Sequence, residues 1–143
     1  MTVKPIPDGY HTVTPMLVVE GAPRLLEFLK AGLKATELEK FEGEDGSIMH
    51  AEVKIGDSIV MIGEARERFP ATPTALYLYV PDADTTYRTA INAGGQSVME
   101  PADQFWGDRA GCVSDPSGNK WWIATHVEDV DSEELARRVR TAK

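Results

Sequence analysis

The sequence repeats one order of structural signals, and this repeat constrains the fold more than any other feature. A β-branched run, a helical run ending in Ala-Gly and two strand-like runs hinged at a glycine occur twice. One offset along the chain relates Gly32 to Gly94 and also Gly56 to Gly118, whereas the helix starts match better at an offset shorter by one. We interpret this as a duplication with one residue of slippage inside the first helix. The alternative is coincidence, because Ala-Gly is a common pair after a helix.

Duplicated halves this short do not bury their apolar faces alone, so we expect one core shared between them. In the first half, the pattern predicts a strand at residues 11–19, a helix at 22–31, and strands at 37–42, 48–55 and 58–62. Pro15 lacks an amide hydrogen, which predicts an edge or irregular first strand. Residues alternate in 48–55, so His50 and Glu52 share a face opposite Ala51 and Val53.

The second half repeats this order, with a strand predicted at 75–80, a helix at 84–93, and strands at 96–99, 111–114 and 120–125. A final amphipathic helix is predicted to begin at Asp131 or Ser132 and to end at Arg140, with acidic residues early and arginines late. We therefore expect a single domain over residues 1–143. It would comprise module one (about 11–64), a linker (about 65–73), module two (about 74–126) and a C-terminal helix (about 131–141).

Charge and composition exclude several classes of function. The chain has 15 Lys and Arg against 23 Asp and Glu, a formal charge of -8, which opposes a nucleic-acid partner. No apolar stretch approaches the roughly 20 residues needed to cross a bilayer. Cys112 is the single cysteine, so no internal disulfide can form, and no N-terminal apolar run follows a basic segment. We expect a cytoplasmic protein without a membrane partner.

Two stretches give the repeat a family likeness: LVVEGAPRLLEFLKAGLKA and WGDRAGCVSDPSGNKWWIATHVEDV. With them, nearly the whole chain resembles the vicinal oxygen chelate superfamily, also called the glyoxalase, bleomycin resistance and dioxygenase superfamily. It looks most like the subgroup similar to the phosphonate-operon protein PhnB, in which Trp-Gly-Asp-Arg, Asp-Pro-x-Gly and Ala-Thr-His-Val-Glu-Asp recur in this order. The resemblance implies an α+β fold. Two βαβββ modules would form a curved mixed sheet around a central cavity, with the helices on the outer face, and the chain would form a homodimer.

In metal-using members of that superfamily, a divalent ion is held by His, Gln or Glu on the first and last strands of the modules. The resemblance places these positions at Thr14, Ala75 and Trp122, with Val60 as the counterpart of Trp122 in the first half. None of these side chains is a good metal ligand, and a slip of one residue at either first strand does not restore the site. The sequence therefore predicts no metal and no cofactor. Glyoxalase I, extradiol dioxygenase and fosfomycin-modifying activities, which need the metal, are not predicted.

The residues predicted to bind a ligand are Trp122, Trp106, Tyr77, Arg109 and His50. Trp122 would offer a flat stacking face in place of the ion, or would simply plug the vacant pocket. Trp106 and Arg109 would close over a planar or anionic ligand, or Arg109 would pair with Asp108 to fix the loop. His50 would face the cavity or the surface.

For two further residues, His126 and Cys112, a structural role is a simpler interpretation than a chemical one. His126 ends the last strand, beside Glu128 and Asp129, which would raise its pKa. Cys112 is interpreted as a buried, inert thiol.

The leading hypothesis is metal-independent binding of a small aromatic or amphipathic molecule, with no catalytic residue assigned; bleomycin-resistance proteins are the family precedent for binding without catalysis. The alternative is a metal-dependent lyase or dioxygenase of glyoxalase type that uses His50, Glu52 or His126. A third hypothesis is a mainly structural role through dimerisation.

Overall fold

The computed structural model describes residues 2–142, and within them it has two four-stranded sheets and three helices. The first half comprises β1 (Met16–Val19), α1 (Ala22–Gly32), β2 (Thr36–Glu42), β3 (Ile48–Ile55) and β4 (Ser58–Glu64). The second half comprises β5 (Ala75–Tyr79), α2 (Ala83–Asn92), β6 (Gln96–Asp103), β7 (Asp108–Ser114) and β8 (Lys120–His126), and α3 (Ser132–Thr141) follows. The predicted α+β class and the strand, helix and three-strand order of each half are confirmed.

Both sheets have the same strand order, β1-β4-β3-β2 and β5-β8-β7-β6. The first and last strands of each half are parallel, and the other neighbours are antiparallel. Met16 pairs with Met61, and Tyr77 pairs with Trp122. The same offset in residue number therefore relates β1 to β5 and β4 to β8. The prediction that Val60 is the counterpart of Trp122 is wrong by one residue, because the counterpart is Met61.

The shift arises in the turn before the last strand. In the second half, the Asp115 backbone N–H donates to the Asn119 carbonyl oxygen, and three residues separate this pair. In the first half, only two residues, Gly56 and Asp57, separate the paired residues Ile55 and Ser58. The later turn is thus one residue longer. Gly56 and Gly118, which the sequence pattern relates to each other, are therefore not equivalent in the structure.

The first strand is shorter than the predicted range of 11–19. It begins at Met16, because Pro15 lacks an amide hydrogen and the Thr14 hydroxyl donates a hydrogen bond to the His11 carbonyl oxygen in a turn (3.0 Å). By contrast, β6 and β7 extend beyond the predicted 96–99 and 111–114. Pro101 is tolerated there because β6 is an edge strand whose pairing shifts between Met99 and Ala102.

Both halves contribute to one hydrophobic cluster. Leu25 and Leu29 of α1 are fully buried, as are Val53 of β3 and Ile123 of β8. The helices of the two halves approach closely at Gly32, where an added Cβ would lie 3.2 Å from both the Ala90 Cα and the Ala93 Cβ. The expected shared core is therefore present, and helix contact is what joins its two parts.

In each half, the last strand supplies an acceptor for the start of the helix. The two carboxylate oxygens of Glu64 accept from the backbone N–H groups of Gly21 and Ala22, each at 3.0 Å. Thr125 holds the matching position of β8, and its hydroxyl oxygen accepts from the Ala83 N–H at 2.8 Å. These bonds satisfy N–H groups that a helix leaves unpaired at its start, and their equivalence supports the duplication.

No helix among residues 2–142 is both long and apolar enough to span a membrane. The longest is α1, with 11 residues.

We predict that Glu64→Ala lowers the free energy of unfolding by about 1–2 kcal/mol, because it removes the acceptor for two N–H groups at the start of α1. Thr125→Ala is expected to cost about 1 kcal/mol by the same mechanism in the second half. Urea denaturation measures both. Glu44→Ala, in the exposed turn after β2, is the matched control and should change stability by less than about 0.5 kcal/mol. A loss no larger for Glu64→Ala than for Glu44→Ala would contradict the capping role.

Candidate functional site

Each sheet has an open face, which we define as the face turned away from the helices. In β8, Trp121 and Ile123 are buried in the core at 2% and 0% exposure. Successive side chains point to opposite faces, so Trp122, Ala124 and His126 lie on the open face of the second sheet. The parallel register places Tyr77 of β5 directly beside Trp122. Aromatic residues from two strands thus share this face.

Asp108, the first residue of β7, is the centre of this face. Its side chain is only 2% exposed, and both carboxylate oxygens accept hydrogen bonds. Oδ2 accepts from the Tyr77 hydroxyl (2.6 Å), the Tyr79 hydroxyl (2.9 Å) and the Trp106 Nε1–H (3.1 Å). Oδ1 lies 2.8 Å from Nδ1 of His126. Four side chains therefore converge on one buried carboxylate.

The rings around Asp108 also contact one another. Tyr77 stacks on Trp122, with ring centroids 5.9 Å apart and an interplanar angle of 20°. Trp106 meets Trp122 edge-on at 6.2 Å, and Tyr79 is tilted against Tyr77 at 5.2 Å. We call Tyr77, Tyr79, Trp106 and Trp122 the aromatic cluster. Its geometry matches the offset and edge arrangements that aromatic pairs prefer.

The loop before β7 positions Trp106. Gly107 has a φ of +102°, and a Cβ added there would overlap the Glu128 carbonyl oxygen. The Gly107 carbonyl oxygen accepts from the N–H groups of Val127 and Glu128 at 2.9 and 3.0 Å. Arg138 of α3 donates to the Phe105 carbonyl oxygen at 3.0 Å. Glycine is thus required for the close approach that fastens this loop to the segment after β8.

The cluster keeps Asp108 ionised. Burial alone would raise the pKa of this carboxyl, but the hydrogen bonds from Tyr77, His126, Tyr79 and Trp106 outweigh burial and hold the pKa below its usual range. Burial, followed by the bond to Asp108, raises the pKa of Tyr77 to about 12. The bond to Asp108 also raises the pKa of Tyr79. At neutral pH, Asp108 is therefore an anion and both tyrosines keep their protons.

His126 bridges two carboxylates. Its Nδ1 faces Asp108 at 2.8 Å and its Nε2 faces Asp129 at 2.7 Å. The hydrogen bond to Asp108, followed by that to Asp129, raises the pKa of His126, although half of the side chain is exposed. Both ring nitrogens donate in the cation, so His126 is engaged as an electrostatic link between β8 and the segment that follows it.

The structure brings together only some of the residues predicted to bind a ligand. Trp122, Trp106 and Tyr77 form one cluster. His50 lies on the open face of the first sheet, where Nε2 is 2.8 Å from an oxygen of Glu52. Arg109 points to the opposite face of the second sheet and binds Asp84 (2.9 and 3.2 Å) and Asp103 (3.3 Å).

The alternative ion pair between Asp108 and Arg109 does not form, because neighbours in a strand face opposite ways. Sequence reasoning gave no site role to Asp108 or Tyr79. The signal available for Tyr79 was its spacing of two residues from Tyr77 in one strand. For Asp108 it was the pairing of β7 with β8, which places Asp108 opposite His126.

The positions at which the resemblance places metal ligands do not fit a metal ion. Thr14 donates its hydroxyl within a turn, Val60 is buried in the core, and Trp122 belongs to the aromatic cluster. Met61, the true counterpart of Trp122, has only a weak thioether acceptor. Among residues 2–142, no group of three or more His, Cys, Asp or Glu side chains is placed to hold an ion. The donor set at these positions is therefore unsuited to the hard divalent ions of metal-using relatives.

Comparison with known proteins gives a family and no activity. The Glyoxalase/Bleomycin resistance protein/Dioxygenase superfamily matches residues 10–123. The uncharacterized protein Mb0911c of Mycobacterium bovis is 33% identical over 134 residues, covering 86% of this chain and 88% of that protein.

Two similar crystal structures bear different descriptions. One is TnmS3, an antibiotic binding protein from Streptomyces sp. CB03234, with a TM-score of 0.66, 20% identity, and coverage of 81% of this chain and 95% of that one. The other is a glyoxalase-related enzyme from Fulvimarina pelagi, with a TM-score of 0.66, 16% identity, and coverage of 80% and 87%. At these identities the likeness establishes the fold alone.

We predict that His126→Gln lowers the free energy of unfolding more at about pH 6 than at about pH 9. A histidine whose pKa is raised by folding contributes stability that is fully present below its unfolded pKa of about 6.5 and is lost as the pH rises through its folded pKa. Urea denaturation of wild type and variant at both pH values measures the difference. His11→Gln, which replaces an exposed imidazole, is the control. Equal losses at the two pH values would show that folding does not raise this pKa.

Proposed function

The chain belongs to the Glyoxalase/Bleomycin resistance protein/Dioxygenase superfamily, and we propose that it binds a planar aromatic or amphipathic small molecule through the aromatic cluster, without a metal ion. The observation that carries this proposal is the convergence of Tyr77, Tyr79 and Trp106 on the buried carboxylate of Asp108. It fixes ring orientation on a face that the chain's own helices leave uncovered.

Exposure supports binding over a purely structural role. Tyr77 and Tyr79 are 41% and 61% exposed, so their rings do not serve as core packing. Their hydroxyl groups are nevertheless held by Asp108 at 2.6 and 2.9 Å. Rings held in place before a ligand arrives lose little side-chain entropy on binding, which favours affinity. An exposed apolar surface fixed in this way is typical of a recognition site.

The alternative is a metal-dependent lyase or dioxygenase of glyoxalase type that uses His50, Glu52 or His126. His50 and Glu52 contact each other on the first sheet, whereas His126 lies on the second sheet with a carboxylate at each ring nitrogen. A ligating or basic histidine needs a nitrogen with a free lone pair, and both ring nitrogens of His126 face carboxylates. His50 and Glu52 lie on the other sheet, and no third His, Cys, Asp or Glu of residues 2–142 joins them in a metal-binding group, so this arrangement supports the binding hypothesis. TnmS3, described as an antibiotic binding protein, offers a precedent for binding on this fold.

Three further assignments are part of the proposal. Membership of the PhnB-like subgroup is supported by the order of Trp-Gly-Asp-Arg, Asp-Pro-x-Gly and Ala-Thr-His-Val-Glu-Asp in the sequence. A cytoplasmic location is supported by the single buried cysteine. A homodimer is supported by the open face of the first sheet, where Met16 and Phe41 are 54% and 57% exposed.

We predict that neutral planar aromatics such as acridine and phenazine bind the wild-type protein, and that Trp122→Leu weakens binding by about tenfold or more. The leucine keeps an apolar side chain but removes the stacking face, which is worth about 1–3 kcal/mol for a stacked base in other proteins. Isothermal titration calorimetry in the presence of EDTA measures affinity directly and removes any dependence on a metal.

Arg109→Met is the matched control, because Arg109 lies on the opposite face, and its affinity should stay within about twofold of the wild type. Equal affinities of wild type and Trp122→Leu would overturn the site. Binding that disappears with EDTA and returns with a divalent ion would instead favour the metal-dependent alternative.

We also predict that the protein is a dimer in solution and that Met16→Asp converts it to a monomer, because a charge on an apolar contact surface opposes association. Light scattering coupled to size exclusion gives the molar mass of both. Arg24→Asp, at an exposed position of α1 on the opposite side of the sheet, is the control and should leave the mass unchanged. A wild-type mass equal to that of one chain would contradict the dimer.

A further inference from the structure

We propose that the aromatic cluster selects a planar organic cation, such as an N-alkylated heteroaromatic ring, over neutral and anionic molecules of the same shape. This inference rests on the proposed function, because it specifies the charge of the ligand bound at the same cluster. It depends on two features of the open face of the second sheet: electron-rich rings and an excess of negative charge.

The rings are arranged to attract positive charge. An aromatic face carries partial negative charge and binds cations, most strongly in tryptophan and then in tyrosine. Here the hydroxyl groups of Tyr77 and Tyr79 donate to one oxygen of Asp108 at 2.6 and 2.9 Å. The Trp106 N–H is shared between that oxygen (3.1 Å) and the Tyr77 hydroxyl oxygen (2.8 Å). A donor bonded to an anion is polarised, so electron density moves toward the ring. Asp108 is too buried to touch a ligand, and it therefore acts through the rings as a positioning residue.

The charges around the cluster also favour a cation. Two carboxylates, those of Asp108 and Asp129, flank the single imidazole of His126, so acidic groups outnumber the basic one here. Arg109 is on the other face, bound to two carboxylates, and Arg138 is bound to Glu128 and Glu134. Within the strands of the second sheet, the other cation of the open face is Lys120, at the opposite end of β8 from His126.

The charge of the whole chain acts in the same direction. With a formal charge of -8, the protein attracts cations and repels anions at long range. This effect is unspecific and screened by salt, whereas contact with the rings is short-ranged. A cation preference that persists at about 0.5 M salt therefore belongs to the cluster.

Three probes with the same tricyclic ring test the proposal: 10-methylacridinium as the cation, acridine as the neutral molecule and acridine-9-carboxylate as the anion. Calorimetric titrations at about pH 8 and about 0.5 M salt give the affinity of each. We expect the cation to bind about tenfold more tightly than acridine, the factor that two partly exposed cation–π contacts supply, and the anion to bind most weakly.

The outcomes separate this inference from the proposed function. Equal binding of the cation and acridine, or tightest binding of the anion, would overturn the charge preference while leaving aromatic binding intact. Binding of none of the three probes would overturn both.

Variants then test the role of Asp108. Asp108→Asn removes its charge and keeps its size, so the ratio of cation to acridine affinity should fall toward one, whereas a merely structural role would weaken both ligands alike. Asp103→Asn is the matched control: it removes the same charge from an exposed carboxylate that binds Arg109, and it should keep the ratio.

Tyr79→Phe serves if Asp108→Asn does not fold, since it keeps an exposed ring and removes only its bond to Asp108. It should reduce the ratio by about twofold, because phenylalanine attracts cations less than tyrosine does. An unchanged ratio in a folded Asp108→Asn or in Tyr79→Phe would overturn the role of the carboxylate.

Discussion

Each half of this chain has one helix for four strands, so its helix can cover only one face of its sheet. The strands satisfy that constraint by alternation: residues such as Trp121 and Ile123 enter the core, and their neighbours face outward. The two helices then pack on each other at Gly32, which joins both covered faces into one core. The remaining faces are left uncovered by these two helices. The position of every site residue follows from this division of each sheet into a covered and an open face.

The open face of the second sheet is organised by a charge that would be costly if it were unpaired. A buried carboxylate loses its hydration, and this loss is recovered only when enough donors bind it. Asp108 meets the requirement with donors from three segments: Tyr77 and Tyr79 of β5, Trp106 of the loop before β7, and His126 at the end of β8. The same bonds fix the rings, so the charge that must be stabilised is also what orients the aromatic cluster.

The sequence predicted the order of elements well because hydrophobic periodicity and glycine turns are local signals. The sequence also grouped Trp122, Trp106 and Tyr77, and these three side chains contact one another in the structure. It did not predict the roles of Arg109 and Asp108, because the face on which a strand residue lies depends on where the strand begins. β7 starts at Asp108 and not near Gly111. Val60 was misplaced for a related reason, since a turn one residue longer in the second half shifts the register, and such a shift exchanges the two faces.

The two halves carry different side chains on their open faces. The structural counterparts of Tyr77, Tyr79 and Trp122 are Met16, Val18 and Met61, which hold the matching register positions in the first sheet. The helix caps Glu64 and Thr125, by contrast, keep one function despite different side chains. The first half thus keeps the fold but has flexible thioethers where the second half has rings held by hydrogen bonds. Methionine is flexible and adapts its conformation to whatever contacts it, whereas rings held in one orientation fit only molecules of matching shape. The proposed recognition surface therefore depends on side chains that only the second half has, whereas the first half has an adaptable apolar surface at the same positions.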